Sequence, residues 1–225
     1  GGRYSLSPKL VAKADDVNAL LSLRSEFLSA VHMQGGEFLE NYFMALLERY
    51  MEKHGKKVLE CYVVGGSEDG GIDGIIKTED SLGFRETIMV QTKNRMIVID
   101  ETAVRGFYGA VCAKQGSRGI YVVSSSFHSS AKKFLDSIDN CVGVDGNRLF
   151  SMAFECLYGI KKTSGGLAVD EKIIRRFNMD NIIKFNSNDS HDLSPVPCAE
   201  ANDLNSWKSA LYRGLEKEYS KVKAW

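Results

Sequence analysis

Gly65-Gly66-Ser67-Glu68-Asp69-Gly70-Gly71-Ile72-Asp73-Gly74, followed by Val90-Gln91-Thr92-Lys93, is the stretch on which the fold turns. The first piece is an acidic glycine loop feeding an apolar run (Ile72, Ile75, Ile76) in which the carboxylate of Asp73 is embedded. In the second piece an amide and an ammonium alternate with Val90 and Thr92. Side chains alternate faces along a strand, so Gln91 and Lys93 project from one side. If the two runs are neighbouring strands, an acid, an amide and a lysine converge at one end of a sheet. Such a cluster costs stability unless a metal or a substrate uses it.

Outward from this pair the period of the hydrophobic residues changes twice. Upstream, Val17, Leu20, Leu21, Leu23, Phe27, Leu28 and Val31 are spaced as on an amphipathic helix from about Asp15 to His32, with Asp15 or Asp16 as its cap. A second helix is predicted from Glu37 to about His54, with Gly55 as its stop. Strands are predicted over Val58–Val64, Ile72–Lys77 and Glu86–Lys93. They are followed by a helix over Asp100–Gln115, a strand over Gly119–Ser124, a helix over Ser129–Ile138 and a strand over Cys141–Val144. That order indicates an α/β architecture with a mixed central sheet flanked by helices. Beyond Asn147 the pattern is helical (Leu149–Tyr158, then Asp170–Phe177). A polar segment from Asn186 to Asn205 reads as a linker, and Trp207, Leu211, Leu215, Tyr219 and Val222 form a terminal helical stripe.

Bulk properties exclude several classes. The 225 residues carry zero net charge at a pI of about 7.1, so any nucleic-acid partner has to be held by a local basic patch. Five cysteines (Cys61, Cys112, Cys141, Cys156, Cys198) form no CxxC pair and mostly sit beside apolar residues, as expected of buried free thiols in a reducing cytoplasm. The four histidines also lack zinc-ligand spacing. No signal peptide and no apolar run long enough to span a bilayer is present, so no membrane partner is expected.

Phosphodiester hydrolysis needs a hard cation, a positioned water and neutralisation of charge on the phosphate, and the cluster suits it. Asp73 is the first candidate ligand for Mg2+, with Mn2+ as an alternative, and the backbone carbonyl of Thr92 is the second. Gln91 offers a neutral oxygen. Lys93 could orient or deprotonate the water, or stabilise the developing charge. A further carboxylate is required; of Glu37 and Glu40, Glu40 is preferred because it sits within the apolar Phe38–Leu47 stretch. The bland alternatives are an Asp73 satisfied by the amides of Gly70 and Gly71, and a Lys93 at a solvated strand end. For phosphate contact, Arg95 and Arg105 join Lys93 as the basic groups nearest this edge.

The same residues carry a family likeness. Gly66-Ser67-Glu68-Asp69-Gly70-Gly71-Ile72-Asp73-Gly74 with Gln91-Thr92-Lys93 resembles the Mrr-like restriction endonucleases, a branch of the PD-(D/E)xK nuclease superfamily that often carries a QxK variant of the second motif. Val104-Arg105-Gly106-Phe107-Tyr108-Gly109-Ala110, the run Gly119–Phe127 with Ala131, and Val144–Leu149 are similar to its later elements; Phe38-Leu39-Glu40 with Leu46-Leu47 is similar to its leading helix. The resemblance covers about Gly36 to Phe150. It implies Mg2+-dependent cleavage of double-stranded DNA, in many members for defence, with Asp73, Gln91 and Lys93 at the core and Glu40 assisting.

The expected organisation is an N-terminal helical segment (1–35), the nuclease domain (36–150), its helical continuation (151–185), and a linker with a terminal amphipathic helix (186–225). Members of this family usually carry a separate DNA-recognition domain, for which 1–35 is too short. The chain therefore reads as part of a larger protein with such a domain, a stand-alone module, or one whose specificity lies in its tail. Cutting both strands wants two sites, hence a homodimer. The competing readings are a non-catalytic nucleic-acid-binding or sensor module of the same fold, and a phosphodiesterase acting on RNA or branched DNA.

Overall fold

Where the hydrophobic spacing shortens from a helical to a strand period, the chain leaves its leading helices and enters a sheet. The computed structural model describes residues 8–64, 71–114 and 117–177. Two compact units are distinguished. One is Glu26–Ile183, which holds the sheet; of the other, residues 8–25 are described. Helix α1 is Pro8–His32 and α2 is Gly36–Lys53. The strands and later helices are β1 (Lys57–Val63), β2 (Gly74–Glu79), β3 (Arg85–Lys93), α3 (Glu101–Cys112), β4 (Ser117–Val123), α4 (Ser129–Asp136), β5 (Cys141–Val144), α5 (Gly146–Cys156), β6 (Ile160–Thr163), β7 (Gly166–Val169) and α6 (Glu171–Arg176).

Strands β1 to β5 form one sheet in chain order. β1, β2 and β3 are antiparallel, whereas β3–β4 and β4–β5 are parallel because α3 and α4 cross over between them. The expected mixed α/β sheet is therefore the observed one. Two glycines show how its faces are covered. Gly74 is paired with Val90, and a Cβ on it would meet the side chain of Met44 in α2. Gly119 is paired with Met89, and a Cβ there would meet Phe107 of α3 at 2.7 Å. Val90 and Met89 are adjacent in β3 and so point to opposite faces. Thus α2 covers one face and α3 the other.

On the α2 face, Phe38, Leu39, Tyr42, Phe43, Leu46 and Leu47 are buried with Leu149, Phe150 and Phe154 of α5. Tyr42 stacks on Tyr158 (5.6 Å, 9°) and donates its hydroxyl to the Tyr158 carbonyl at 2.7 Å, so the only polar atom of that ring is satisfied in the core. On the other face Met89, Val104, Phe107, Val111, Tyr121, Phe127 and Leu135 form a second cluster.

Three expectations need correction. α1 begins at Pro8, ahead of the cap expected at Asp15 or Asp16; proline is tolerated in a first helical turn. β2 begins at Gly74, so Asp73 lies in the lead-in to the strand and not within it. Residues 151–185 are not simply helical, because the β6–β7 hairpin stands between α5 and α6. Leu157 (φ 47) and Gly159 (φ 82) stop α5, and Gly166 (φ 120) lets the four-residue strands turn back. Only Ile160 of β6 is buried, which left no periodic signal to read. The loop 65–70, the polar segment 186–205 and the terminal helical stripe lie outside the described residues. Among the described residues no helix is long and apolar enough to cross a membrane.

Candidate active site

Asp73 is held by its backbone before its side chain does anything. Its N–H donates to the Val90 carbonyl and its carbonyl accepts from Val64 N–H, both at 2.8 Å, so it is pinned between β1 and β3 just ahead of β2. Its carboxylate then takes the Thr92 amide at 2.6 Å, with the Thr92 hydroxyl at 3.4 Å. An N–H to a carboxylate at that length is a charge-assisted bond, and it fixes Asp73 against the last turn of pleat in β3.

Thr92 therefore turns its amide toward Asp73. In a strand the N–H and C=O of one residue point to the same edge, and those of its neighbours to the other. The carbonyl of Lys93 is taken on the β4 side by Ser124 N–H at 3.2 Å. The carbonyl of Thr92 thus faces the Asp73 side. Lys93, half-buried, ends β3.

Glu40 comes from α2, on an interrupted polar stripe beside the buried Leu39 and Tyr42. Burial pushes its carboxyl above the ordinary value, and the charges of Asp73 and Glu37 push it further; the Lys93 ammonium pulls it down. Glu40 thus feels the charges of both Asp73 and Lys93, which sequence spacing alone did not establish. Two half-buried carboxylates in mutual repulsion, with a carbonyl turned the same way, form a hard-oxygen donor set of the kind a small divalent cation neutralises. Among the described residues no group of three or more His, Cys, Asp or Glu gathers for a metal, so the candidate set is two acids supplemented by backbone oxygen.

Gln91 is buried, and its amide packs on Gly71 where a Cβ would stand. Gly71 has φ 82, so both the backbone angle and the Gln91 amide require glycine at the end of the acidic loop.

A family model described as restriction endonuclease, that of the Mrr catalytic domain, matches residues 37–153, over half of the chain and all the elements that build this site. The chain belongs to the Mrr-type restriction endonuclease family. The type IV methyl-directed restriction enzyme EcoKMrr of Escherichia coli (strain K12) is 38% identical over 97 residues, 43% of this chain; that match spans 31% of the enzyme, under a third of its length. Among solved structures, the MspJI restriction endonuclease in complex with a 27-mer oligonucleotide is 19% identical at a TM-score of 0.46, over 66% of this chain and 32% of that one. Apo EndoMS is 25% identical at a TM-score of 0.28, over 42% and 41% of the two chains.

Within this Mrr-type domain the remaining basic candidates part company. Arg95 is exposed, and its charge reaches the hydroxyl of Tyr121. Arg105 is bound to Glu101 (Nη2 to Oε1, 2.6 Å) and lies over the Phe134 ring at 4.0 Å, so its guanidinium already has partners. Two site-side residues escaped the sequence analysis. Tyr121, paired with Gln91 across β3–β4, has its hydroxyl pKa raised by burial and then by Asp73. Asn94, next after Lys93, donates its amide to the carbonyls of Val31 (2.9 Å), Gln34 (2.8 Å) and Gly35 (3.2 Å), tying the end of β3 to the turn that launches α2. An asparagine beside a strand end leaves no periodic signal; only the packing of the turn reveals it.

Proposed function

We propose that this domain is a Mg2+-dependent endonuclease that hydrolyses phosphodiester bonds of double-stranded DNA, as part of restriction or defence in the cytoplasm. The observation that carries the reading is the Asp73 carboxylate bonded to the Thr92 amide, next in the chain to Lys93 at the end of β3, with Glu40 of α2 acted on by both charges, in a chain of the Mrr-type family. Glu40, Asp73 and the Thr92 carbonyl would hold the cation, which supplies Lewis-acid stabilisation of the phosphate and a more acidic water. Lys93, whose charge acts on Glu40, would orient the attacking water and stabilise the negative charge that develops as the new P–O bond forms and the leaving oxygen departs. The Thr92 amide keeps Asp73 in one rotamer, and the Gln91 amide packs against Gly71. Arg95 is the proposed phosphate contact; Arg105 would first have to leave Glu101 and Phe134. Cleavage of both strands would use two copies of the site, in a homodimer or with a DNA-recognition domain in a larger protein.

Plasmid nicking in Mg2+ tests this, with Asp73→Ala and Lys93→Ala as controls, on methylated and unmethylated DNA. Wild-type nicking abolished in both variants is the expected result. No nicking by any of the three defeats the nuclease reading. One observation favours the non-catalytic nucleic-acid-binding alternative: Gln91, at the position of the second motif acid, is a neutral amide packed against Gly71 and does not add to the charge of the site. DNA binding without cleavage would select it.

A further inference from the structure

The segment that leaves β3 carries three apolar side chains into solvent: Met96 is 80% exposed, Ile97 60% and Val98 54%. Met33, 84% exposed, lies in the turn that Asn94 fastens to the same end of the strand. Single exposed apolar residues are ordinary, but a contiguous run marks a contact surface. The run is not free to fold away. Ser125 donates its hydroxyl to the Ile97 carbonyl at 2.6 Å, Ser124 to that of Arg95 at 3.5 Å, and Ile99 N–H to the Ser126 carbonyl at 2.9 Å. Ile99 itself is buried and bridges to Phe127. The backbone is thus braced from behind while the side chains face out, so a partner meets a surface already ordered.

Position decides the partner. A chain extends at most about 3.5 Å per residue, which puts the Cα of Ile97 within about 14 Å of that of Lys93. That is comparable with the ≈12 Å width of a B-DNA major groove, so a duplex with a phosphate at Lys93 comes within reach of this segment. We infer that Met96, Ile97 and Val98 form a preordered apolar wedge that packs against bases and sugars of the duplex beside the scissile phosphate, with Arg95 on a neighbouring phosphate. The inference rests on the DNA-nuclease reading above. Apolar side chains pressed between base steps or into the minor groove are a known means of seizing and distorting a duplex.

The test is binding in EDTA, over a salt series, to a short duplex carrying 2-aminopurine at successive positions. The full chain is compared with a Met96→Ser/Ile97→Ser/Val98→Ser variant and with Arg95→Ala. Wild type is expected to alter 2-aminopurine fluorescence at one or two adjacent positions. The triple variant is expected to lose that signal and bind roughly ten- to hundredfold more weakly. Its slope of log K against log salt should be unchanged, because that slope counts phosphate contacts; Arg95→Ala should lower it by about one. Ile97→Ser alone should show the same signature at smaller amplitude, and unaltered thermal unfolding certifies the fold of each variant. A triple variant that binds and perturbs the duplex like wild type overturns the wedge while leaving the nuclease reading intact. So does one that breaks up a wild-type oligomer with DNA affinity unchanged, since the surface would then join copies of the chain. If wild type neither binds nor cuts any duplex, the nuclease reading fails with it.

Discussion

At Asn94 one side-chain amide donates to the carbonyl of Val31 at the end of α1 and to those of Gln34 and Gly35 in the turn into α2, the helix that carries Glu40. Asn94→Ala removes these bonds, though the Val31 carbonyl keeps the Gln34 N–H, at a cost of about 1–3 kcal/mol that urea unfolding will read. Because Glu40 rides on the turn, turnover should fall while KM for DNA changes little; full turnover in a destabilised variant would confine Asn94 to a structural role. Glu40 offers a test by pH. Its carboxyl is held above the ordinary value of 4.5 by burial and by Asp73. A group raised on folding stabilises below its unfolded value and loses that contribution as pH rises through the folded one. Without metal, Glu40→Gln should therefore unfold at a higher temperature than wild type at pH 7, and the gap should close as pH falls below 4.5. A gap that persists in acid would mean that charge is not its cause. Gly71→Ala strains a φ of 82 and drives a Cβ into the Gln91 amide. A loss of about 1–3 kcal/mol with weakened cleavage is expected, and an unchanged variant would show that the loop end does not depend on this contact.

At the scale of elements, the helices and strands follow from period and punctuation, which is why most were legible in the sequence. Asp100 caps α3 through Ala103 N–H at 3.0 Å, and Asp145 caps α5 through Arg148 N–H at 3.0 Å. The β6–β7 hairpin was not legible, because its strands are four residues long and largely exposed. How closely elements approach was not legible either. β4 meets α3 at Gly119, where a Cβ would lie 2.6 Å from Cys141 Sγ and 2.7 Å from the Phe107 ring. Gly119→Ala should destabilise by about 1–3 kcal/mol in chemical denaturation, as overpacked cores do; a neutral result would show that β4 and α3 can part freely.

Across the whole molecule, the cysteines report on the packing of both sheet faces. Burial pushes the Cys61 thiol up to about 12, and those of Cys141 and Cys156 to about 11. Alkylation of the native protein at neutral pH, mapped by mass spectrometry, should mark exposed Cys112 well before these three, which should react only on unfolding. Equal rates would mean that the core opens readily. By itself the sequence determined the order of elements as far as α5, the mixed sheet, the Mrr-type family and the residue types of the candidate site, because periodicity, glycine loops and motif spacing are properties of adjacent residues. The tertiary structure alone decided that Glu40 feels the charges of Asp73 and Lys93, that Asn94 fastens the turn, that Arg105 is occupied, and that three serines brace the apolar segment that follows Lys93. Those are contacts between residues distant in the chain. They depend on strand register and helix packing, which leave no mark on the local pattern from which a sequence is read.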